Sequence, residues 1–246
     1  MQLTTSAILG AEPITLMKFV KPVAMTLLWL IIVGCSKKDP APIICYLTTN
    51  VFGSITDTYT YNDKNQVISI TESGTPTLII TYTYDANGDL KIGSFSDGTT
   101  YVYTFDGNHQ LIKREYLAGD NVATFAYNST GQHISTVYEG PGCSGTCTTT
   151  WTYAYPNTTT HNASLVTVNN GVSTETYAYQ YDSKFNPFKP VLYSSTGSDN
   201  NVTQLIFSNN GSPITTSYTY EYNERGYPTK KTGSDSSVET FTYVCK

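Results

Sequence analysis

Aromatic and hydroxyl-bearing residues alternate along most of this chain. Tyr82 and Tyr84 flank a threonine, a cluster of turn-forming residues follows, and Leu90 and Ile92 then stand two positions apart. Because successive side chains of a β-strand point to opposite faces of a sheet, this stretch predicts a hairpin with one apolar face and one hydroxyl face. Tyr, Thr, Ile and Val are also the residues that fit a pleated, half-buried surface.

The hairpin pattern repeats with a period of about 22 residues. Its second aromatic residue stands at positions 61, 84, 105 and 127, and insertions separate the later copies at 155, 181 and 222. An Asp or Asn follows the aromatic pair in most copies, and its short side chain can bond backbone amides of a turn. Gly88, Gly131 and Gly226 stand three positions further on, where glycine can supply the positive φ of a tight return.

These features predict an all-β fold, an antiparallel meander of hairpin repeats that forms a strongly curved sheet or a closed soluble barrel. We expect no long helix after residue 45. The strand pairs expected are 77–84 with 89–95, 99–106 with 110–117, and 214–222 with 227–232.

The two faces of the predicted sheet differ in chemistry. The face opposite the aromatic residues carries Thr, Ser, Asn and Lys, whereas a membrane-spanning barrel shows apolar residues to lipid across its outer face. A soluble barrel with its aromatic face buried is therefore expected. Because the chain has 21 tyrosines and each buried hydroxyl needs a partner or water, the rings should pack inward. Their hydroxyls should then lie at the rims or in a hydrated lumen.

The repeated Tyr-x-Tyr-Asp-x-x-Gly-x-Leu pattern resembles the YD repeat of RHS-type proteins. Residues 181–188, 200–202 and 220–230 resemble, more particularly, a family of Bacteroidetes outer-membrane lipoproteins of unknown function, related to domains with a porin-like β fold. The resemblance covers residues 45–246 and implies a repetitive antiparallel sheet, curved or closed. It brings no catalytic residues. RHS shells contain dozens of repeats around a toxin, whereas this chain has seven or eight, so their encapsulating role does not carry over.

The N-terminal segment has the layout of a lipoprotein signal peptide. Met17 is a second candidate start, two lysines follow it, and residues 23–33 form an apolar run of 11 residues. A run of this length matches the centre of a signal peptide, because a membrane-spanning helix needs roughly 20 residues. The run ends at Gly34 and Cys35, and a small residue before a cysteine is typical of the site where bacterial lipoproteins are acylated.

The chain thus divides into four expected parts. These are an upstream extension before the true start (1–16), a signal peptide (17–34), a lipidated polar tether (35–44) and a single repetitive β domain (45–246). Acyl chains on Cys35 would anchor the protein in the outer membrane, on its periplasmic or its surface side, because two or three chains hold stably where one is marginal. An ordinary signal peptide with an incidental cysteine is the alternative.

Four cysteines remain once Cys35 is set aside, and an even number in an exported chain suggests disulfides, with three pairings. Cys45 and Cys245 lie at the two ends of the repeat region, so closure of the sheet would bring their Cα atoms within about 7 Å. Cys143 and Cys147 flank a glycine-rich turn where a short local bridge fits. Four reduced thiols are the alternative.

Composition excludes several function classes. A net charge of −5 with 13% charged residues argues against a nucleic-acid binder, which needs a clustered basic face. His109, His133 and His161 stand in separate repeats at or near turns without metal spacing, so they are read as surface turn residues. No metal, cofactor or catalytic residue is expected, because no nucleophile motif is present and nothing selects a pair of acidic residues.

Two functional classes remain. The first is a non-enzymatic envelope lipoprotein whose sheet binds a ligand or partner, with Trp151 and exposed tyrosines able to stack on sugar rings. The second is a purely structural or assembly scaffold, and a hydrolase is less favoured than either. A binder should concentrate exposed aromatic residues in the irregular inserts around 139–163 and 185–200, whereas a scaffold should show none.

Overall fold

The computed structural model describes residues 43–143, 145–189, 197–209 and 211–246, with the side chains of 141–146 left out. The described residues form sixteen β-strands, and they include no helix long and apolar enough to cross a membrane. The strands are β1 Cys45–Phe52, β2 Ile55–Tyr61, β3 Val67–Glu72, β4 Leu78–Tyr84, β5 Leu90–Phe95, β6 Thr100–Phe105, β7 Leu111–Tyr116, β8 Val122–Tyr127, β9 His133–Cys143, β10 Gly145–Ala154, β11 Leu165–Asn169, β12 Thr174–Phe185, β13 Asn200–Asn209, β14 Ile214–Tyr222, β15 Pro228–Gly233 and β16 Val238–Cys245.

The strands close into a barrel in sequence order. Each strand pairs antiparallel with its chain neighbours, and β1 pairs with β16. The predicted meander is therefore confirmed, and of the two expected forms the closed one is found. The three predicted strand pairs correspond to β4 with β5, β6 with β7, and β14 with β15. The expected signal peptide and the lipidation site at Cys35 lie outside the described residues.

The first and last strands meet in a covalently linked seam. A disulfide joins Cys45 to Cys245 across 200 positions of sequence, with the two Cα atoms 4.0 Å apart. Backbone hydrogen bonds in both directions between Ile44 and Lys246 extend the ladder one residue beyond it. Cys147 is disulfide-bonded as well, but the side chain of Cys143 is not described, so the local bridge between these two cysteines stays a prediction.

The aromatic residues face the interior of the barrel. In β4, Tyr82 is 8% exposed, whereas Thr81 and Thr83 on either side of it are exposed. Tyr220 in β14 is likewise covered more than its neighbours Thr219 and Glu221. The period-two pattern of the sequence thus places rings inside and threonines outside.

One end of the barrel, called here the repeat end, carries the turns that follow the second aromatic residue, together with the disulfide. Asp85 Oδ1 accepts hydrogen bonds from the backbone N–H groups of Asn87 (2.8 Å) and Asp89 (2.9 Å). The same side-chain cap recurs at Asn62, Asp106, Asn128 and Asn223. Each of these five turns has one residue at positive φ. It is a glycine in three turns, at positions 88, 131 and 226, and Asn65 or His109 in the other two.

Tyrosine hydroxyls join each hairpin to the one before it at the repeat end. The Tyr84 hydroxyl donates to the Val67 carbonyl oxygen (2.6 Å), and the Tyr127 hydroxyl donates to that of Leu111 (3.0 Å). The same bond runs from Tyr61 to Leu47, from Tyr155 to His133, from Tyr181 to Ala163 and from Tyr243 to Pro228. These hydroxyls therefore lie at a rim and find backbone partners there. Burial at this rim also raises the pKa of the Tyr155 hydroxyl to about 12, so it remains a hydrogen-bond donor at neutral pH.

Side chains fill the barrel on one side. In β16 and β1–β5, called here the packed sector, a continuous core contains Leu47, Tyr59, Val67, Ile70, Tyr82, Leu90 and Phe241. Phe188, from the insert between β12 and β13, packs edge-on against Phe241 with ring centroids 5.9 Å apart. This insert therefore contributes a side chain to the core beside the disulfide seam.

Candidate functional site

A cavity of about 500 Å³ opens at the repeat end on the other side of the barrel. It lies within β7–β13, called here the open sector. Aromatic rings form much of its wall, from Tyr127, His133, Tyr153, Tyr155, Tyr179 and Tyr181. Small-molecule sites are typically concave, largely apolar and of this size, with a few polar groups that orient the ligand.

His133 lies in the cavity wall, so its assignment as a surface turn residue was wrong. The residue is 6% exposed, its Nε2 lies 2.8 Å from the Ser135 carbonyl oxygen, and its ring centroid lies 4.3 Å from that of Tyr153. The turn before it closes at position 132, so position 133 begins β9 and points inward. Its register partner is Tyr127, just as Leu90 is the partner of Tyr84. His133 therefore occupies the leucine position of the repeat, which the repeat alignment alone could have revealed.

The mouth of the cavity is polar, and its histidine and lysine side chains contact carboxylates. His109 Nδ1 lies 2.9 Å from Asp89 Oδ2, whereas His161 and Lys189 both contact the Asp199 carboxylate. Burial raises the pKa of Asp199, but the Lys189 ammonium and the backbone N–H of His161 outweigh it, so the pKa lies below its ordinary value. Two inserts thus meet here, and Asn162 Oδ1 accepts the Asp199 N–H at 2.9 Å to join them.

A second cavity of about 370 Å³ lies in the open sector, further from the repeat end. Tyr153 lines both cavities, so they share a wall. The second is lined by Arg114, Ala123, Phe125, Thr136, Tyr138, Thr149, Trp151 and Tyr153. Trp151, named from sequence as a stacking residue, therefore lies in a cavity wall.

The sequence-predicted residues are distributed unequally between the two sectors. Trp151, Tyr153 and Tyr155, all from the 139–163 insert, line the cavities. None of the three is exposed, so they do not form the exposed aromatic cluster expected of a binder. The 185–200 insert instead places Phe188 in the packed sector. The Cys45–Cys245 disulfide lies in the packed sector as well. Sequence reasoning missed Arg114, because a single charged residue in a strand carries no local signal of an inward direction.

The arrangement offers ring faces and hydroxyls rather than metal ligands. Across the described ranges, no group of three or more His, Cys, Asp or Glu side chains could hold a metal ion. The Asp85 carboxylate accepts hydrogen bonds from two backbone N–H groups of its own turn. A small organic ligand is the class that such walls suit.

Comparison with known proteins shows the fold. No protein-family profile matches the chain, and no curated protein matches it. The crystal structure of a porin-like protein from Bacteroides uniformis is similar, with a TM-score of 0.57 and 16% sequence identity over 83% of this chain and 96% of that one. At this identity the likeness shows a shared barrel fold.

Two further structures match more distantly. The Photorhabdus luminescens Tc holotoxin pore has a TM-score of 0.34 with 14% identity, and a TcdB2–TccC3 structure has 0.33 with 12% identity. This chain covers 11% of each of those chains. Scores this low carry no weight for fold or function.

Proposed function

We propose that the chain is a non-enzymatic, lipid-anchored protein of the cell envelope, whose barrel is a rigid scaffold that binds a glycan in the open sector. The observation that carries the proposal is the cavity of about 500 Å³ walled by aromatic rings. Tyrosine and tryptophan faces offer apolar area at little entropic cost, and neighbouring hydroxyls and amides can bond sugar hydroxyls.

The closed barrel supports this role because it holds the walls in place. The disulfide joins the ends of the sheet, and hydroxyl-to-carbonyl bonds join successive hairpins. A preformed cavity loses less freedom when a ligand binds than a flexible one does. A purely structural or assembly scaffold is the competing function.

Intrinsic fluorescence provides a direct binding test. The chain has two tryptophans, and Trp29 lies in the predicted signal peptide, so Trp151 alone would remain in the mature chain. Trp151 does not line the 500 Å³ cavity, but it packs against the cluster that contains Tyr153 in the cavity wall. A glycan array should identify ligands, and titration with a positive glycan should change the Trp151 emission through this contact. Tyr153→Ala should weaken binding at least tenfold. Phe185→Ala removes a ring that is 56% exposed and lies outside both cavities, so this control should bind normally.

An array without any positive glycan, or a Tyr153→Ala variant that binds as the wild type does, would leave the scaffold function in its place. The anchor is tested separately. Mass spectrometry of the mature protein should find acyl chains on Cys35, and Cys35→Ala should accumulate as an uncleaved precursor. A mature chain without lipid would remove the anchoring part of the proposal.

A further inference from the structure

Arg114 points into the second cavity. It lies in β7, where its register partners are Tyr103 and Ala123, and it lines the cavity wall together with Ala123. Its guanidinium carbon is 5.3 Å from the centroid of the Tyr101 ring. A cation at this distance from a ring face is attracted to it, and the ring also orients the guanidinium plane.

The charge of Arg114 is not balanced by a carboxylate. Lys231, another cation on the inner face, lies 3.1 Å from Glu239, and Lys189 at the mouth of the first cavity contacts Asp199. Within the described ranges, no Asp or Glu forms an ion pair with Arg114. A partly buried guanidinium in a cavity thus keeps its capacity for a bidentate anion.

The rest of the cavity is suited to a sugar ring. Trp151, Tyr138 and Phe125 provide aromatic surface, and Thr149 places a hydroxyl group on the same wall. Ala123, which is 2% exposed, is small enough to leave room beside the guanidinium. The volume of this cavity, about 370 Å³, lies within the usual range of small-molecule sites.

We propose that this cavity binds an acidic sugar, a hexuronate whose carboxylate pairs with the Arg114 guanidinium while its ring packs against Trp151. The proposal rests on the glycan-binding function above and adds an acidic subsite in the second cavity of the same sector. An arginine fork matches a carboxylate with two parallel N–H···O bonds. A neutral hexose would leave the guanidinium without an anion and should bind more weakly.

The test compares sugars that differ only in the carboxylate. Glucuronate against glucose, and galacturonate against galactose, are titrated into the mature protein while Trp151 fluorescence is followed. The uronates should bind on the order of tenfold more tightly, the usual value of one charge-assisted pair. Arg114→Gln should abolish the preference for uronates. Arg114→Lys should retain part of this preference, because lysine keeps the positive charge but cannot form two parallel N–H···O bonds.

Arg225→Gln is the matched control, since Arg225 is the other arginine of the chain and is exposed on a turn. It changes the net charge equally and should leave the uronate preference intact, and thermal melting verifies that each variant folds. Equal binding of uronates and neutral sugars by the wild type, or an unchanged preference in Arg114→Gln, overturns the inference but leaves glycan binding standing. If neither sugar class binds and the array is also negative, both proposals fall.

Discussion

The packed and open sectors are built from the same hairpin repeat, yet the packed sector has one continuous core, whereas the open sector has two smaller buried clusters with cavities beside them. In the packed sector the leucine position of the repeat holds Val67 and Leu90, which are 1% and 5% exposed. In the open sector, the equivalent position holds Leu111, which is 4% exposed, and then His133 and Ala163. Backbone pairing is continuous through both sectors.

The difference shows that side-chain volume, rather than strand pairing, decides where this barrel is hollow. Backbone hydrogen bonds close the wall whatever lies inside it. A protein interior reaches crystal-like density only where facing side chains fill the space between them. The open sector has small or polar residues at some of those positions, so its lumen stays open.

The largest effect should come from the disulfide seam in the packed sector. Replacing Cys45 and Cys245 together by Ser should cost on the order of 5 kcal/mol, because the bridge restricts a long loop of the unfolded chain. Replacing Cys143 and Cys147 together is the control, and the same chain-entropy relation gives roughly 2 kcal/mol for a short loop. Chemical denaturation of both variants compares them, and equal losses would argue against a closing role for the seam.

Matched truncations should separate the two cores. Val67→Ala in the packed sector should cost roughly 2 kcal/mol, from lost burial plus a new void. Val166→Ala should cost about half as much, since Val166 already borders the 500 Å³ cavity and fewer of its contacts remain to be lost. Urea denaturation gives both values. A larger loss for Val166→Ala would contradict the division into sectors.

Filling the first cavity with a larger side chain should make the open sector resemble the packed sector. Ala163→Leu places a leucine in the position that Leu90 holds in the packed sector, and should stabilise the barrel by about 1 kcal/mol through added burial. The same variant should lose glycan binding. Melting temperature and Trp151 titration test both effects, and a destabilised variant that still binds would show that the cavity wall is not at position 163.

A pair of tyrosine and phenylalanine exchanges should sharpen the comparison at the rim. Tyr84→Phe removes the donor to the Val67 carbonyl oxygen and should cost about 1 kcal/mol. Among the first four repeats, only the one with Phe105 lacks this tyrosine hydroxyl. Phe105→Tyr would supply it, with the Leu90 carbonyl oxygen as the equivalent acceptor, and should stabilise the protein by up to about 1 kcal/mol. If both variants were stabilised, or both destabilised, the hydroxyl-to-carbonyl bond would not have the same role in each repeat.

The smallest effect should come from Asp57 in the packed sector. Burial and then the nearby Glu72 raise the pKa of this carboxyl above its ordinary value of 3.8. Because the folded protein holds this proton more tightly than the unfolded chain, its contribution is fully present below pH 3.8 and is lost as pH rises through the raised value. Asp57→Asn should therefore stabilise the protein at pH 7 and reduce the loss of stability as the pH rises. Denaturation at a series of pH values measures both effects. Asp120→Asn, at an exposed turn, should change neither.

The sequence by itself determined the strands, their antiparallel order and the inward face. These features follow from local rules: period-two alternation, as at Tyr82 and Tyr84, and a turn chemistry that repeats with Asp85 and Gly88. Every hairpin is made of residues close in the chain, so a single copy of the pattern contains the information for its own pairing.

Only the tertiary structure decided that the sheet closes, which sector is packed and which residues meet in the cavities. Arg114, Trp151 and Thr136 lie on three different strands, and no local pattern relates them. Closure depends on how strand twist and register accumulate over all sixteen strands. A cavity is the space left over when distant side chains have been brought together, so its position and chemistry exist only once the barrel has formed.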